Sequence, residues 1–383
     1  MHSKLGGLLA LGFFLCFASA GCRREKQAEP DHRTVLEKLT KRDRLFDIAM
    51  VGDHAWIVGF PGIILHSGDG GANWEVQDSG SKQALFSVDF VNEKRGWIVG
   101  RYGLVLSTGD SGATWTPMKG AGKEHLFDVD FVDENLGWAV GNFGTIMHTA
   151  DGGQSWSTQA VSAGEEEAAD DEDYGDDEEE YGEEDDYGDD GEDEEDDYGE
   201  AEAVAPPPPG EGDQAPEAPR FDRLLNGVAF VDALTGWIAG EDGTILHTSD
   251  GGKVWRAQVS NEWAPLYAVL FLNRQDGYVA GTAGSLLATS DGGSTWEKVE
   301  TNTDEHLFKL AVSDDQLLGV GRRGLVMAGP LASRGPFERL ELKVYGWLDS
   351  VAINDKSTGF MVGAQGLVMK TEDGGKNWKR VSR

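Results

Sequence analysis

Cysteine is almost absent from this sequence: Cys16 and Cys22 are the only two, and both precede the first patterned residue. No disulfide can staple the chain beyond residue 22, so it must hold by burial and backbone hydrogen bonds. Long apolar runs are missing as well. The longest, residues 5–17, is too short for a comfortable bilayer span. Basic residues are scarce, 33 Lys and Arg against 68 Asp and Glu, for a formal net charge of −35. That charge is local, because 26 of the acids lie between residues 165 and 202, where no Lys or Arg occurs, leaving −9 on the rest. Wholesale nucleic-acid binding needs a basic footprint and is excluded as a reading.

What the chain has in abundance is one unit, repeated. Residues 126–156 read LFDVDFVDENLGWAVGNFGTIMHTADGGQSW. LFDVDF alternates apolar and polar residues, as a half-buried strand does. GWAVG and TIMHT read as two further short strands, and ADGGQSW makes a tight turn that sends a Trp into a fourth. Asp-Gly and Gly-Gly supply the positive φ that such turns need. Copies end at Trp74, Trp115, Trp156, Trp255, Trp296 and Trp378, and the spacing is 41 wherever two copies adjoin without interruption or a degenerate neighbour. A degenerate copy at residues 307–337 keeps LLGVGRRGLVM and loses the turn box. The expected fold is all-β: a seven-bladed β-propeller of four-stranded, 41-residue blades.

Residues 1–21 read as a secretion signal, with His2 and Lys4 before the apolar run and small residues at 18–21. Cys22 follows directly, as in a bacterial lipobox whose Cys is lipidated; ordinary cleavage after residues 18–20 is the alternative. Residues 22–44 read as a polar tether, residues 45–160 as blades one to three, and residues 223–383 as blades four to seven. Between them, residues 161–222 form an acidic, then Pro-rich, insertion. Its charge cannot bury enough apolar surface to offset ordering entropy, so it is expected to be disordered. Trp156 to Trp255 is 99 residues, one period plus about 58, which places the insertion in the single loop joining blades three and four.

The turn box is S/T-x-D-x-G-x-x-W, with its Asp at Asp69, Asp110, Asp151, Asp250, Asp291 and Asp373. This is the Asp-box, found in sialidases, sortilin-type receptors and other propellers. Its carboxylate is expected to cap turn N–H groups, a fold device and not a calcium site; no metal or cofactor is expected. GWIVGRYGLVLSTGDSGATW and GWIAGEDGTILHTSDGGKVW resemble the photosystem II assembly-factor-like family of seven-bladed propellers. In photosynthetic members the propeller holds newly made membrane-protein subunits, so the resemblance implies a non-catalytic scaffold for protein clients.

Catalysis by a glycosidase would need paired carboxylates at the propeller mouth; any of Asp130, Glu241 or Asp242 could stand there by chance. His66, His148 and His247 share one repeat position, in different blades, which is repetition and not a zinc site. A partner is expected on the face carrying the strand-two-to-three loops and the blade-to-blade loops. The candidates are Arg101, Tyr102, Phe143, Glu241, Asp242, Trp263, Arg322, Arg323, Tyr345 and Trp347, because aromatics and Arg exposed together favour interfaces. The insertion is expected to emerge on this face. It either folds over Arg101, Arg322 and Arg323 until a basic partner displaces it, or simply solvates the protein and attracts polycations. The expectation for the whole is an exported, lipid-anchored propeller of the bacterial envelope that scaffolds a protein client, a membrane protein by the resemblance, with a carbohydrate-binding or glycoside-hydrolase-like propeller as the alternative.

Overall fold

The structure, a computed structural model, describes residues 34–119, 122–162, 221–331, 335–354 and 357–382. The stretch read as a secretion signal, Cys22 and residues 163–220 of the insertion lie outside these residues. Each repeat folds as its alternation demands. In blade 3 the inner strand Leu126–Phe131 pairs with Gly137–Gly141, then Ile146–Thr149, then the short outer strand Ser157–Thr158, all antiparallel. Seven such sheets of consecutive strands cover residues 44–78, 85–117, 126–158, 225–257, 266–298, 307–339 and 348–380.

The second strand of a blade is buried along its whole length, as in Gly96–Gly100 and Gly137–Gly141. Neighbouring blades cover both of its faces, which explains why it reads as continuously apolar where the inner strand alternates. The core is accordingly a set of wedges between blades. One wedge packs Trp97, Val99 and Val105 of blade 2 against Leu126, Val129 and Phe131 of blade 3. In it the Trp97 ring stacks on Phe131 at 3.5 Å, and the box Trp156 meets the edge of Phe131 at 6.0 Å. Trp56–Phe90–Trp115, Trp138–Phe230–Trp255 and Trp237–Phe271–Trp296 repeat the sandwich.

No strand is exchanged where the ring closes, since all four strands of blades 1 and 7 are consecutive in the chain. Residues 34–43, the end of the stretch read from sequence as a tether with a weak helix or an extra closing strand left open, take the place that a blade-to-blade connector takes elsewhere. The short 3-10 turn Leu36–Lys38 buries Leu36 with Leu45, Ile57, Val362 and Val368, and Gly366 donates its N–H to Asp43 at 2.8 Å.

Candidate functional site

Antiparallel order puts the strand-two-to-three turns and the blade connectors on one end of the propeller, and the other two turns of each blade on the opposite end. The two sets on the first end touch. Arg101 donates its N–H to Ala84, Asn142 to His125, Glu241 to Leu224, Thr282 to Pro265 and Arg322 to His306, all at 2.9–3.1 Å. Six of the seven turns hold a non-glycine residue in the left-handed region: Tyr102, Phe143, Asp242, Ala283, Arg323 and Gln365. A side chain there is unfavourable, yet all six are exposed on this face. The residue that follows must be glycine, because a Cβ at Gly243 would overlap the carbonyl oxygen of Glu262 in the connector.

A second device re-aims one residue per blade. The ladder between inner and second strands skips Phe46, Phe86, Phe127, Asn226, Tyr267, Phe308 and Asp349, a β-bulge at the same position in all seven blades. Bulges unpair a residue and turn its side chain out of the sheet. The glycine ending G-W-x-x-G belongs to this bulge: a Cβ at Gly141 would overlap the His125 carbonyl oxygen. All seven bulged side chains are half-buried and line a cavity of about 120 Å³ at the axial mouth.

Five of the seven are aromatic and form a collar. Phe46 meets Phe86 at 5.5 Å and Phe86 meets Phe127 at 5.7 Å. Across the mouth Tyr267 meets Phe308 at 5.5 Å, and Phe308 meets Trp347 at 5.9 Å. The exposed Arg44 guanidinium lies over both Phe46 and Trp347, at 5.2 and 5.8 Å, bridging the collar past Asp349. Outward, His125 links Phe127 to Tyr102, over whose ring Arg101 lies at 4.8 Å. On the far side His306 links Phe308 to Arg322, which donates to His306 Nε2 at 3.3 Å.

Below the collar the channel carries carboxylates. Asp47 accepts the Val88 N–H at 3.0 Å, Asp89 that of Phe131 at 2.8 Å, Asp128 that of Val228 at 3.0 Å and Asp130 that of Phe230 at 2.6 Å. Each bond crosses to the next blade, so these acids tie inner strands together. Lys309 stands 3.6 Å from Asp47 and 3.9 Å from Asp128. Burial works against its charge, but the two carboxylates prevail and hold its proton more firmly than usual. Burial pushes Asp89 up to about 7 and Asp130 well above its ordinary value, the charges of neighbouring aspartates adding to the effect. Asp349 is likewise pushed up to about 7 by burial, opposed by the charge of Arg44, and its Oδ2 is sealed from water without a hydrogen-bond partner.

The Asp-boxes occupy the opposite end. In blade 3 the Thr149 hydroxyl donates to Asp151 and accepts the Gly153 N–H, while Asp151 accepts the Ser155 N–H at 2.8 Å. Donors from the residue four positions on, side chain and backbone, hold Asp69, Asp151, Asp291 and Asp373 at about 2. Four of the six boxes, those of blades 2 to 5, also accept a Trp from the previous blade. The Nε1 of Trp56, Trp97, Trp138 and Trp237 donates to Ser111, Gly152, Gly251 and Gly292 of the next box, at 2.9–3.3 Å. Among the described residues no cluster of three or more His, Cys, Asp or Glu is arranged to hold a metal. His66, His148 and His247 lie against their own Trp56, Trp138 and Trp237, and His66 adds a 3.0 Å contact with His54 and another, at 2.9 Å, with Glu75.

Of the residues expected on the partner face, Arg101, Tyr102, Arg322 and Trp347 join the collar network, and Arg323 pairs with Glu305 at 3.0 Å. Trp263 stands 85% exposed beside a separate groove with Asp242, which pairs with Arg223 at 3.5 Å. Phe143 and Tyr345 are exposed turn and connector residues of the same end. Glu241 accepts the Leu224 N–H at the rim, so of the three acids named from sequence as candidates for the mouth only Asp130 lies in the channel. Of the described residues that flank the insertion, one side reaches this end. Gly144 donates to Arg223 at the returning end, whereas Ser162 leaves along the flank of blade 4, donating to Trp255. Sequence reasoning missed the bulged ring and three of the four channel acids, Asp47, Asp89 and Asp128. Their signal was the second, third and fifth positions of each LFDVDF-like strand, read there as ordinary alternation.

Comparison with known proteins agrees with this architecture. The solved structure of YCF48 bound to D1 peptide superposes with a TM-score of 0.60 at 15% identity, covering 88% of this chain and 95% of that one. YCF48 from Cyanidioschyzon merolae gives 0.61 at 17% identity, covering 87% and 96%. The WD40 propeller domain of Doa1 gives 0.58 at 11% identity, so the likeness to solved structures speaks for the fold alone. Photosystem II assembly lipoprotein Ycf48 of Prochlorococcus marinus (strain MIT 9313) is 36% identical over 66 residues, 17% of this chain and a fifth of that relative's length. The family model described as photosynthesis system II assembly factor YCF48 matches residues 27–82, 118–173 and 218–306. With just over half of its residues matched by that model, the chain belongs to the YCF48 assembly-factor family.

Proposed function

We propose that this propeller is a non-catalytic scaffold that holds a protein client on its connector end, around the axial mouth, and that a lipid on Cys22 anchors it in the bacterial envelope. The observation that carries the reading is the unbroken run of rings and guanidinium groups from Arg101 through Phe86, Phe46, Arg44 and Trp347 to Arg322. Exposed aromatics and Arg supply contact area and planar donors at small entropic cost, which is what interfaces use. A family relative bound to D1 peptide and a curated relative that is a lipoprotein support a peptide-holding, anchored role. The client class that fits is a membrane-protein subunit presenting an extended segment.

The test is capture of clients from envelope extracts by the wild type, by Arg101→Ala/Arg322→Ala/Arg323→Ala, and by a form lacking residues 164–218. The scaffold reading expects specific proteins held by the wild type and lost in the arginine variant, at an unchanged melting temperature. It expects Cys22→Ser to leave the membrane fraction. If the deletion leaves client affinity and its salt dependence unaltered, the insertion does not screen the face. A carbohydrate reading has one observation in its favour, the convergence of Asp47, Asp89, Asp128 and Asp130 in the channel. All four already accept an inter-blade N–H, which suits an architectural role better than acid–base work. Retention on glycan or peptidoglycan beads with no protein client would favour that second reading.

A further inference from the structure

We propose that the axial mouth selects one basic side chain of the client, a lysine or arginine threaded through the aromatic collar with its cationic head beside Asp349. The inference rests on the scaffold reading above and names what that face recognises. It starts from a departure in the repeat. Five of the seven bulged positions are Phe or Tyr, so the fold is satisfied by a ring there. Blade 4 has Asn226 instead, and its amide donates to the Leu266 carbonyl at 2.8 Å. Blade 7 has Asp349, with an oxygen sealed from water and no hydrogen bond to compensate it. An unpartnered buried acceptor costs stability, and the sister blades show that the architecture does not require one.

Charge and shape identify the occupant. The cavity lining carries three carboxylates, Asp47, Asp128 and Asp349, against the single ammonium of Lys309. Lys309 is held between Asp47 and Asp128, and the one cation whose charge reaches Asp349 is Arg44 at the rim, with no hydrogen bond to its Oδ2, so the mouth stays net negative with both cations counted. Arg44 directs its guanidinium over Phe46 and Trp347 at the rim. Rings facing a mouth of net negative charge attract a cation through their quadrupoles, and a volume of about 120 Å³ admits one side chain, not a folded element.

Acetylated, amidated Gly-Gly-X-Gly-Gly peptides, with X as Arg, Lys, norleucine or Glu, test this on the full-length chain by isothermal titration or NMR. The Arg or Lys peptide should bind at least ten-fold more tightly than norleucine, and Glu should not bind. Asp349→Asn should weaken the basic peptide at least ten-fold. Asp349→Phe, which restores the residue type of the sister blades, should abolish that binding without lowering the melting temperature. Equal binding of norleucine, an unchanged affinity in Asp349→Asn, or no saturable binding of either basic peptide overturns the inference. Clients lost in the rim-arginine variant but retained by Asp349→Asn and Asp349→Phe would overturn it while leaving the scaffold standing. A wild type that captures no client would remove the scaffold and this inference with it.

Discussion

Replacing Trp97 by Ala should destabilise the whole ring, because this side chain belongs to two blades. It is fully buried, its ring stacks on Phe131 of the next blade at 3.5 Å, and its Nε1 donates to Gly152 of that blade's box at 2.9 Å. Truncating a buried Trp to Ala costs about 3–5 kcal/mol through lost transfer energy and the cavity left behind. Trp97→Phe should cost less, about 1–2 kcal/mol. The stack on Phe131 survives in part, and the Gly152 carbonyl still accepts from the Arg95 guanidinium at 2.9 Å, so no buried acceptor is orphaned. For a domain of this size about 2–3 °C of melting temperature follows each kcal/mol. Scanning calorimetry should therefore show a fall of roughly 6–15 °C for Ala and roughly 2–6 °C for Phe, each in one transition. Val76→Ala, on an exposed outer strand, is the control and should stay within about 0.5 kcal/mol of wild type. A Trp97→Ala protein melting within 2 °C of wild type, or a separate early transition confined to one blade, would refute the account of the core as shared wedges.

Two further outcomes follow from the ring and from its acids. Leu36→Ala should cost about 2–4 kcal/mol, although Leu36 lies outside every blade, since it seals the join between blades 7 and 1; an unchanged urea midpoint would show that residues 34–43 do not close the ring. Stability should also depend on pH in two opposed limbs. The folded state holds Asp89 and Asp349 at about 7, above their unfolded values, so it binds extra protons between about pH 4 and 7 and loses stability as pH rises through that window. Asp69, Asp151, Asp291 and Asp373, held at about 2, lose their contribution as pH falls from about 4 toward 2. His148 and His247, which burial lowers, favour the folded state more as pH rises, so the difference between variants isolates the aspartate. Asp349→Asn should melt with wild type at pH 4 and increasingly above it toward pH 8; a gap that does not widen refutes the assignment.

The repeat, its period and its strands were legible in the chain because each depends on local spacing: alternation for the inner strand, a continuous apolar run for the second, Asp-Gly for the turn. The box Asp was equally legible, since its hydrogen bonds reach only two to four residues along the chain. Arg101, Tyr102, Arg322 and Trp347 were placed on the right end by topology alone. What they touch was not, because His125, His306, Phe308 and Arg44 approach them from other turns and blades. The bulge escaped notice for a different reason. A one-residue slip is a property of the pairing between strands, so its marks, the second residue of the inner strand and the glycine ending G-W-x-x-G, read as ordinary strand residues until the partner strand is in place.

The sequence by itself determined a seven-fold array of four-stranded units, the position of the insertion between the third and fourth, and the concentration of most of the net negative charge in it. Only the tertiary structure decided that the ring closes through residues 34–43 without sharing a strand, and that Trp97 and its counterparts reach into the next blade's box. It alone gathered Asp47, Asp128 and Lys309 into one cavity with the ring of bulged side chains, Asp349 among them. Pattern within a repeat reports the contacts a blade makes with itself; the mouth is made of one residue from every blade, and only closing the circle brings them together.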